Sequence, residues 1–331
     1  MNARHVQGRV QGHVQGRVLV TGGTGFVGSH LVRRLVAEGD AVSVLARDNN
    51  AASCARLADV REAITIHVAD LREPAQVARV VAEVEPRQVF HLAAAAMHAG
   101  RAPASLEQVT TNVLGSVALM DECRTLGVDA FVQVGDAFEY GPGDGAVAED
   151  APCRPISADG ITKLAATLYG ASLARAHGMP VVTVRPFSVV GPDDDPRRLV
   201  PRLVETARAG APLLLSDRRI VRDLVWVDDV TELLVRVAAA AGALRGRVLN
   251  CGSGRATTLA ELVAATERVT GSTIDARWGE FPVAEHDLHH PVADVTAAAR
   301  ELGWHPVTSL EEMLTHLWRA GADQASGPPP R

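Results

Sequence analysis

Apolar and polar positions along this chain change period in blocks. Val18–Val20 is a short, wholly apolar run; from Phe26 onward, Phe26, Val27, Leu31, Val32, Leu35 and Val36 recur at helical spacing. Ala41–Ala46 and Ile64–Val68 read as the second and third strands. A helix starting near Glu73 or Pro74 continues through Val77–Val84. Val89–Ala95 is a fourth strand running into small residues, Ser105–Gly127 a long helix and Ala130–Val134 a fifth strand. A helix over Ile161–His177 precedes a sixth strand, Val181–Arg185, closed by Pro186. Short strands at Val221–Val227 and Arg247–Cys251 follow, with helices at Val230–Ala241, Leu259–Thr270 and Leu310–Trp318. Such alternation of strand and helix predicts a mostly parallel sheet covered by helices.

The first strand and helix are joined by Thr21-Gly-Gly-Thr-Gly-Phe-Val-Gly28, with glycines at 22, 25 and 28. A turn without side chains lets a pyrophosphate approach the backbone, where the helix N-terminus holds it. The predicted architecture is therefore α/β, a Rossmann-like doubly wound parallel sheet with a smaller C-terminal substrate lobe. The expected division is a disordered leader over 1–16, carrying the near-repeat His5–Val10 and His13–Val18, and a dinucleotide-binding domain over 17–185 to which 221–256 contributes. Residues 186–220 and 257–319 form the substrate lobe, and 320–331 a flexible Gly/Pro/Ser-rich tail.

Composition narrows the function classes. The 47% of hydrophobic residues among 331 suffices for a large core. A formal charge of −6 with interspersed basic residues argues against a nucleic-acid surface. No apolar run has membrane-spanning length, which predicts no membrane partner. Cys54, Cys123, Cys153 and Cys251 lack metal or CxxC spacing and fit free thiols in a reducing, cytoplasmic setting.

At the tip of the second strand, Ala46 offers no acceptor for ribose hydroxyls, whereas Arg47 suits a 2′-phosphate. This favours NADP(H); Asp48, one residue on, leaves NAD(H) open. Asp70 is positioned either to bond an adenine amino group or to cap the next helix. His91 reads as a hydrogen-bonded core residue. Asn112 either holds the helix backbone open or serves packing. His286, Asp287, His289 and His290 offer metal-ligand types, as do Asp193, Asp194 and Asp195, but neither run makes a convincing site, and no metal is expected.

The chain resembles the extended short-chain dehydrogenase/reductase family, in its nucleotide-sugar epimerase, dehydratase and ketoreductase branch. The markers run in order from Arg17 to Arg319: the glycine turn, Asp70-Leu71, His91-Leu-Ala-Ala94, Asn112-Val-Leu-Gly115, Glu139-Tyr-Gly141 and Lys163-Leu-Ala-Ala166. Arg185-Pro-Phe-Ser-Val-Val-Gly-Pro192, Arg222–Asp229, Asn250–Gly254, Val292–Asp294 and Leu302–Pro306 complete them. The resemblance implies cofactor contacts at Gly22, Gly25, Phe26, Val27, Gly28, Arg47, Asp70, Leu71, Leu92, Ala93, Ala94 and Pro186. It places Lys163 on the nicotinamide ribose and Arg222 on the substrate diphosphate, with Tyr140 and Ser188 beside the substrate. It also implies a homodimer through Ser105–Gly127 and Ile161–His177.

Against the family's pattern, the position four before Lys163 is Asp159 rather than tyrosine, and the usual serine or threonine aligns with Asp136. The expectation is a carboxyl pair, Asp136 and Asp159, replacing the hydroxyl pair and sharing a proton, with Lys163 beside them. The 4,6-dehydratase acid pair would fall on Ala137 and Phe138. NADPH-dependent reduction of a keto group on a nucleoside-diphosphate sugar is the expected reaction. A nucleotide-sugar epimerase and a non-catalytic, cofactor-containing metabolite sensor are the alternatives.

Overall fold

The computed structural model describes residues 15–96, 103–282 and 291–325, with side chains through residue 321. The leader over 1–14, the end of the tail and the His286–His290 cluster lie outside the described residues. Seven parallel strands form the main sheet: β1 Arg17–Thr21, β2 Ala41–Ala46, β3 Ile64–Val68, β4 Gln88–His91, β5 Ala130–Val134, β6 Val181–Pro186 and β7 Val248–Cys251. Their spatial order is β7-β6-β5-β4-β1-β2-β3. The chain reverses direction of travel between β1 and β4, where ligands of open α/β sheets bind at the carboxyl ends.

Alternate residues on each strand feed two apolar layers, as a sheet buried on both faces requires. Val18, Val20, Val44, Val132 and Val182 face helices α1 (Phe26–Glu38) and α6 (Val227–Ala239), including Leu31, Leu35, Val230 and Leu233. Leu19, Val89, Phe131 and Val181 face α2 (Pro74–Val84), α3 (Ser116–Leu126) and α4 (Ala158–His177), including Val80, Leu119 and Leu173. Each large side chain buried this way contributes about 1.5–3 kcal/mol. Helix α5 is Leu199–Ala209, α7 is Leu259–Thr270 and α8 is Leu310–Ala325. With four short two-stranded ladders among the described residues, the later segments form the smaller region.

Three elements differ from the sequence reading. The helix expected over 105–127 contains a π-helical segment, Val109–Gly115, and a Cβ on Gly115 would lie 2.9 Å from Leu71 Cβ. Leu71 itself is buried in the core under this segment. The strand expected over 221–227 is split at Asp223, whose carboxylate turns inward and accepts from Ser253 N and Oγ, Gly254 N and Ala293 N at 2.6, 2.6, 3.1 and 2.9 Å. Helix α8 runs to Ala325, so the region expected as tail from residue 320 is helical at its start.

Candidate active site

The glycine turn lies between β1 and α1. Gly22 has φ +72°, and a Cβ there would lie 2.6 Å from Ala93 N and 2.9 Å from the Leu92 carbonyl carbon. A side chain on Gly28 would fall on the Gly22 carbonyl. Gly25 donates its N–H to Gly22 O at 3.0 Å and stands at the N-cap of α1 without a side-chain cap. The first turn holds no acidic residue, so the N–H groups of Phe26, Val27 and Gly28 present an uncompensated positive helix end. This cradle fits a dinucleotide pyrophosphate. Leu92, Ala93 and Ala94 are half-buried where the chain leaves β4, and Pro186 is half-buried at the end of β6.

Beyond β2, Ala46 is buried while Arg47 and Asp48 are exposed. Hydrogen bonds from Ser53 and the Asn50 backbone, then the Arg47 charge, hold the Asp48 carboxyl below its ordinary range. Asp70 is likewise held low, chiefly by Arg72, which reaches its two oxygens at 3.0, 3.1 and 2.6 Å; Arg47 adds a smaller Coulombic attraction. Arg47 is thus within Coulombic range of both carboxylates. Asp70 does not cap α2, whose N-cap is Glu73.

At the carboxyl end of β5 lies a charged cluster. Lys163, in the second turn of α4, is buried and donates from Nζ to Val134 O at 2.8 Å. Burial lowers its pKa, while Asp136, Glu139 and Asp159 oppose that shift. Asp136 is partly exposed and caps the 3-10 turn Ala137–Glu139, accepting from Phe138 N at 2.8 Å. Desolvation pushes its pKa up to about 6 against Phe138 N–H and Lys163. Asp159 is buried and accepts from Gln108 Nε2, while Ser157, not Asp159, caps α4.

Behind the cluster, wholly buried Glu139 accepts from Arg185 Nε and Nη2, each at 2.8 Å, and from Asp136 N at 3.0 Å. Arg185 lies 4.4 Å over the Tyr140 ring, and Tyr140 Oη donates to Asn250 Oδ1 at 2.7 Å. Burial first, only partly opposed by Arg185, raises the Tyr140 phenol to about 12. Asn112 donates to Ala95 O and Thr162 Oγ1 at 3.1 and 3.0 Å and accepts from Ala95 N at 2.7 Å. It therefore holds the strand exit rather than merely filling the interior.

On the substrate side, Arg222 is half-buried, donates to Val221 O at 2.8 Å, and precedes the Asp223 anchor. Ser188 is half-buried at the start of a strand, Ser188–Val190, that pairs with Leu224–Trp226. Asp194 and Asp195 pair with Arg198 and Arg197 at 3.1 and 2.7 Å. Among the described residues no group of His, Cys, Asp and Glu is arranged to hold a metal, and no helix is long and apolar enough to cross a membrane. Glu139 was legible as the partner of Asp136 in an Asp-x-x-Glu capping box; nothing in the sequence singled out Gln108 or the Arg185 pairing.

Residues 18–252 match the model of the NAD dependent epimerase/dehydratase family. The UDP-glucose 4-epimerase of Mycolicibacterium smegmatis is 32% identical over 89% of this chain and 95% of that protein. The dTDP-glucose 4,6-dehydratase of Streptomyces griseus is 32% identical over 90% of this chain and 91% of its own. The solved UDP-glucose 4-epimerase of Stenotrophomonas maltophila, with bound NAD and formylated UDP-arabinopyranose, has a TM-score of 0.82 at 28% identity, covering 94% of this chain and 99% of that one.

Two expectations are corrected. The loss of the hydroxyl pair to Asp136 and Asp159 does not stand, because the chain matches the family over residues 18–252 and an epimerase over 89% of its length and its hydroxyls are intact at Ser116 and Tyr140. Ser116 Oγ lies 2.8 Å from His91 Nε2 and donates to Asn112 O at 2.6 Å; Tyr140 holds Asn250. Spacing counted from Lys163 did not register hydroxyls supplied by α3 and by the turn after β5. The preference for NADP(H) is also overturned. Solved relatives of this fold hold NAD, and the carboxylates around Arg47 weaken the argument for a 2′-phosphate.

Proposed function

From the premise that the chain belongs to the NAD dependent epimerase/dehydratase family, as an NAD(P)-dependent enzyme of the extended short-chain dehydrogenase/reductase type, we propose that it interconverts two epimers of a nucleoside-diphosphate sugar with NAD. The observation that carries this reading is the near full-length likeness to a UDP-glucose 4-epimerase. Against water elimination, the turn after β5 has buried Ala137 and half-buried Phe138 where a dehydratase would carry its acid pair. Family membership also replaces the non-catalytic sensor reading.

Bound NAD supplies a hydride acceptor that returns the hydride, so the reaction has no net redox change. The glycine turn and the start of α1 hold the pyrophosphate. Leu92, Ala93, Ala94 and Pro186 line the nicotinamide side, while Asp70 and Leu71 border the adenine side. Lys163, a donor with three N–H groups, holds ribose hydroxyls. As the sugar hydroxyl becomes a carbonyl, a base of the site would take its proton and return it when the carbonyl is reduced on its other face. Arg222 clamps the diphosphate, with Tyr140 and Ser188 beside the sugar. The reading includes a homodimer through the face carrying exposed Leu106, Val109, Leu114, Ile161 and Leu168.

The test incubates the protein and NAD with a panel of nucleoside-diphosphate hexoses and follows epimer ratio by NMR and cofactor by absorbance. Epimer exchange without net NADH change supports the proposal. Stoichiometric consumption of reduced cofactor with a keto sugar selects a reductase instead, and loss of water selects a dehydratase.

A further inference from the structure

Five residues form one chain of hydrogen bonds behind the cofactor turn. Ala93 N donates to Thr21 Oγ1 at 3.2 Å; Thr21 Oγ1 lies 2.6 Å from His91 Nδ1; His91 Nε2 lies 2.8 Å from Ser116 Oγ; Ser116 Oγ donates to Asn112 O at 2.6 Å. The two ends fix the direction. Because the Ser116 hydroxyl proton points at a carbonyl, His91 Nε2 must carry the proton between it and Ser116. Nδ1 is then the bare nitrogen and accepts the Thr21 hydroxyl. Every donor and acceptor is used once, and the imidazole is the neutral Nε2–H tautomer.

Both ends of the chain touch the wall of the cofactor cradle. Ala93 N is the atom against which a Gly22 side chain would collide. Asn112, at the other end, grips Ala95 with its side-chain amide. The π-helical turn Val109–Gly115 sets this up: the Ser116 N–H goes to Val113 O, and the Ser116 hydroxyl takes the Asn112 carbonyl.

We propose that His91 is a positioning residue for NAD: its neutral ring locks the segment 92–95 against the Gly22 turn by joining β1 to the π segment. The ring is wholly buried, and burial, then the Lys163 charge, lowers its pKa to about 3, so the bond pattern persists at any working pH. This inference rests on the cofactor cradle and not on the epimerase reading.

The experiment measures NAD affinity by calorimetry, at a temperature where circular dichroism shows each variant folded. His91→Phe keeps the ring shape and removes both bonds; His91→Asn restores one donor and one acceptor. The expected result is NAD binding weakened about 10-fold in His91→Phe, the loss of roughly one net hydrogen bond, with partial recovery in His91→Asn. Thr21→Val should weaken binding in the wild-type background and add little to His91→Phe, since both cut the same chain. Affinity within about 2-fold of wild type in folded His91→Phe, or fully additive losses in the double variant, overturns the proposal. If wild-type protein fails to bind NAD at all, the cofactor assignment has failed instead.

Discussion

Replacing Glu139 by Gln isolates the most heavily buried charge pair of the site. Its carboxylate accepts two N–H bonds from Arg185 at 2.8 Å and one from Asp136 N at 3.0 Å, with Glu139 0% and Arg185 2% exposed. Among the described residues, Arg185 Nη1 is already without a hydrogen-bond partner in its buried position. A glutamine leaves one acceptor oxygen for those bonds and turns its own N–H₂ toward other donors. The guanidinium then stays buried without its counter-charge, which costs about 3–5 kcal/mol when one partner of a buried pair is removed. That is a large part of the roughly 5–15 kcal/mol that keeps a domain folded. Urea denaturation followed by circular dichroism should show a lower midpoint with an unchanged slope. The double variant Glu139→Met, Arg185→Leu should recover most of the loss, because neither charge then needs desolvation. A cost under about 1 kcal/mol, the size of an ordinary hydrogen bond, or a double variant no more stable than Glu139→Gln, would refute the argument.

Gly22→Ala should abolish NAD binding, because its Cβ would lie 2.6 Å from Ala93 N at φ +72°; calorimetric binding at wild-type strength would show that the turn is not the cradle. Asp136 gives a pH prediction: its folded pKa rises from the ordinary 3.8 to about 6, so the folded state binds the extra proton and its stability falls as pH rises through that window. Asp136→Asn should therefore gain on wild type by at most about 3 kcal/mol between pH 4 and pH 7, and parallel stability–pH curves would contradict this. NAD should bind tighter than NADP in calorimetric titrations, with Arg47→Ala leaving NAD affinity within about 3-fold, less than a typical charge-assisted bond; tighter NADP would reverse the cofactor assignment. Leu114→Asp with Leu168→Asp should shift sedimentation from dimer to monomer if the exposed apolar helix face is the interface, and an unchanged profile would assign the dimer elsewhere.

The sheet was legible because its strands carry their own signal: Ala41–Ala46 is a mostly apolar run and Ile64–Val68 alternates apolar with polar residues, and the structure reproduces the ends of both. The glycine turn was legible for a related reason, since a positive φ and a close backbone approach leave almost no choice of residue at Gly22. What sequence spacing did not give was the meeting of side chains from distant elements. Gln108 reaches Asp159, and Ser116 meets His91, only because the π segment turns the helix between them. The split at Asp223 was hidden as well. Leu-Val-Trp after it reads as a continuation of one strand, while the buried carboxylate, bonded to three backbone N–H groups and a hydroxyl, forces the break. Counting back from Lys163 likewise put weight on the two aspartates and none on the retained hydroxyls.

The order of strands in the sheet also bears on how the chain leaves the ribosome. Strand β6 pairs with β5 on one side, but its other neighbour, β7, begins only at Val248. While α5, α6 and the intervening ladders are being synthesised, at about 5–20 residues per second, the Val181–Arg185 edge is complete and uncovered. An apolar strand edge in that condition is a template for pairing with another nascent chain. A truncation ending before Val248 should therefore aggregate while retaining every residue of the glycine turn. Slower elongation through 187–247 should lower soluble yield of the full chain, and a holdase chaperone that covers the open edge should restore it.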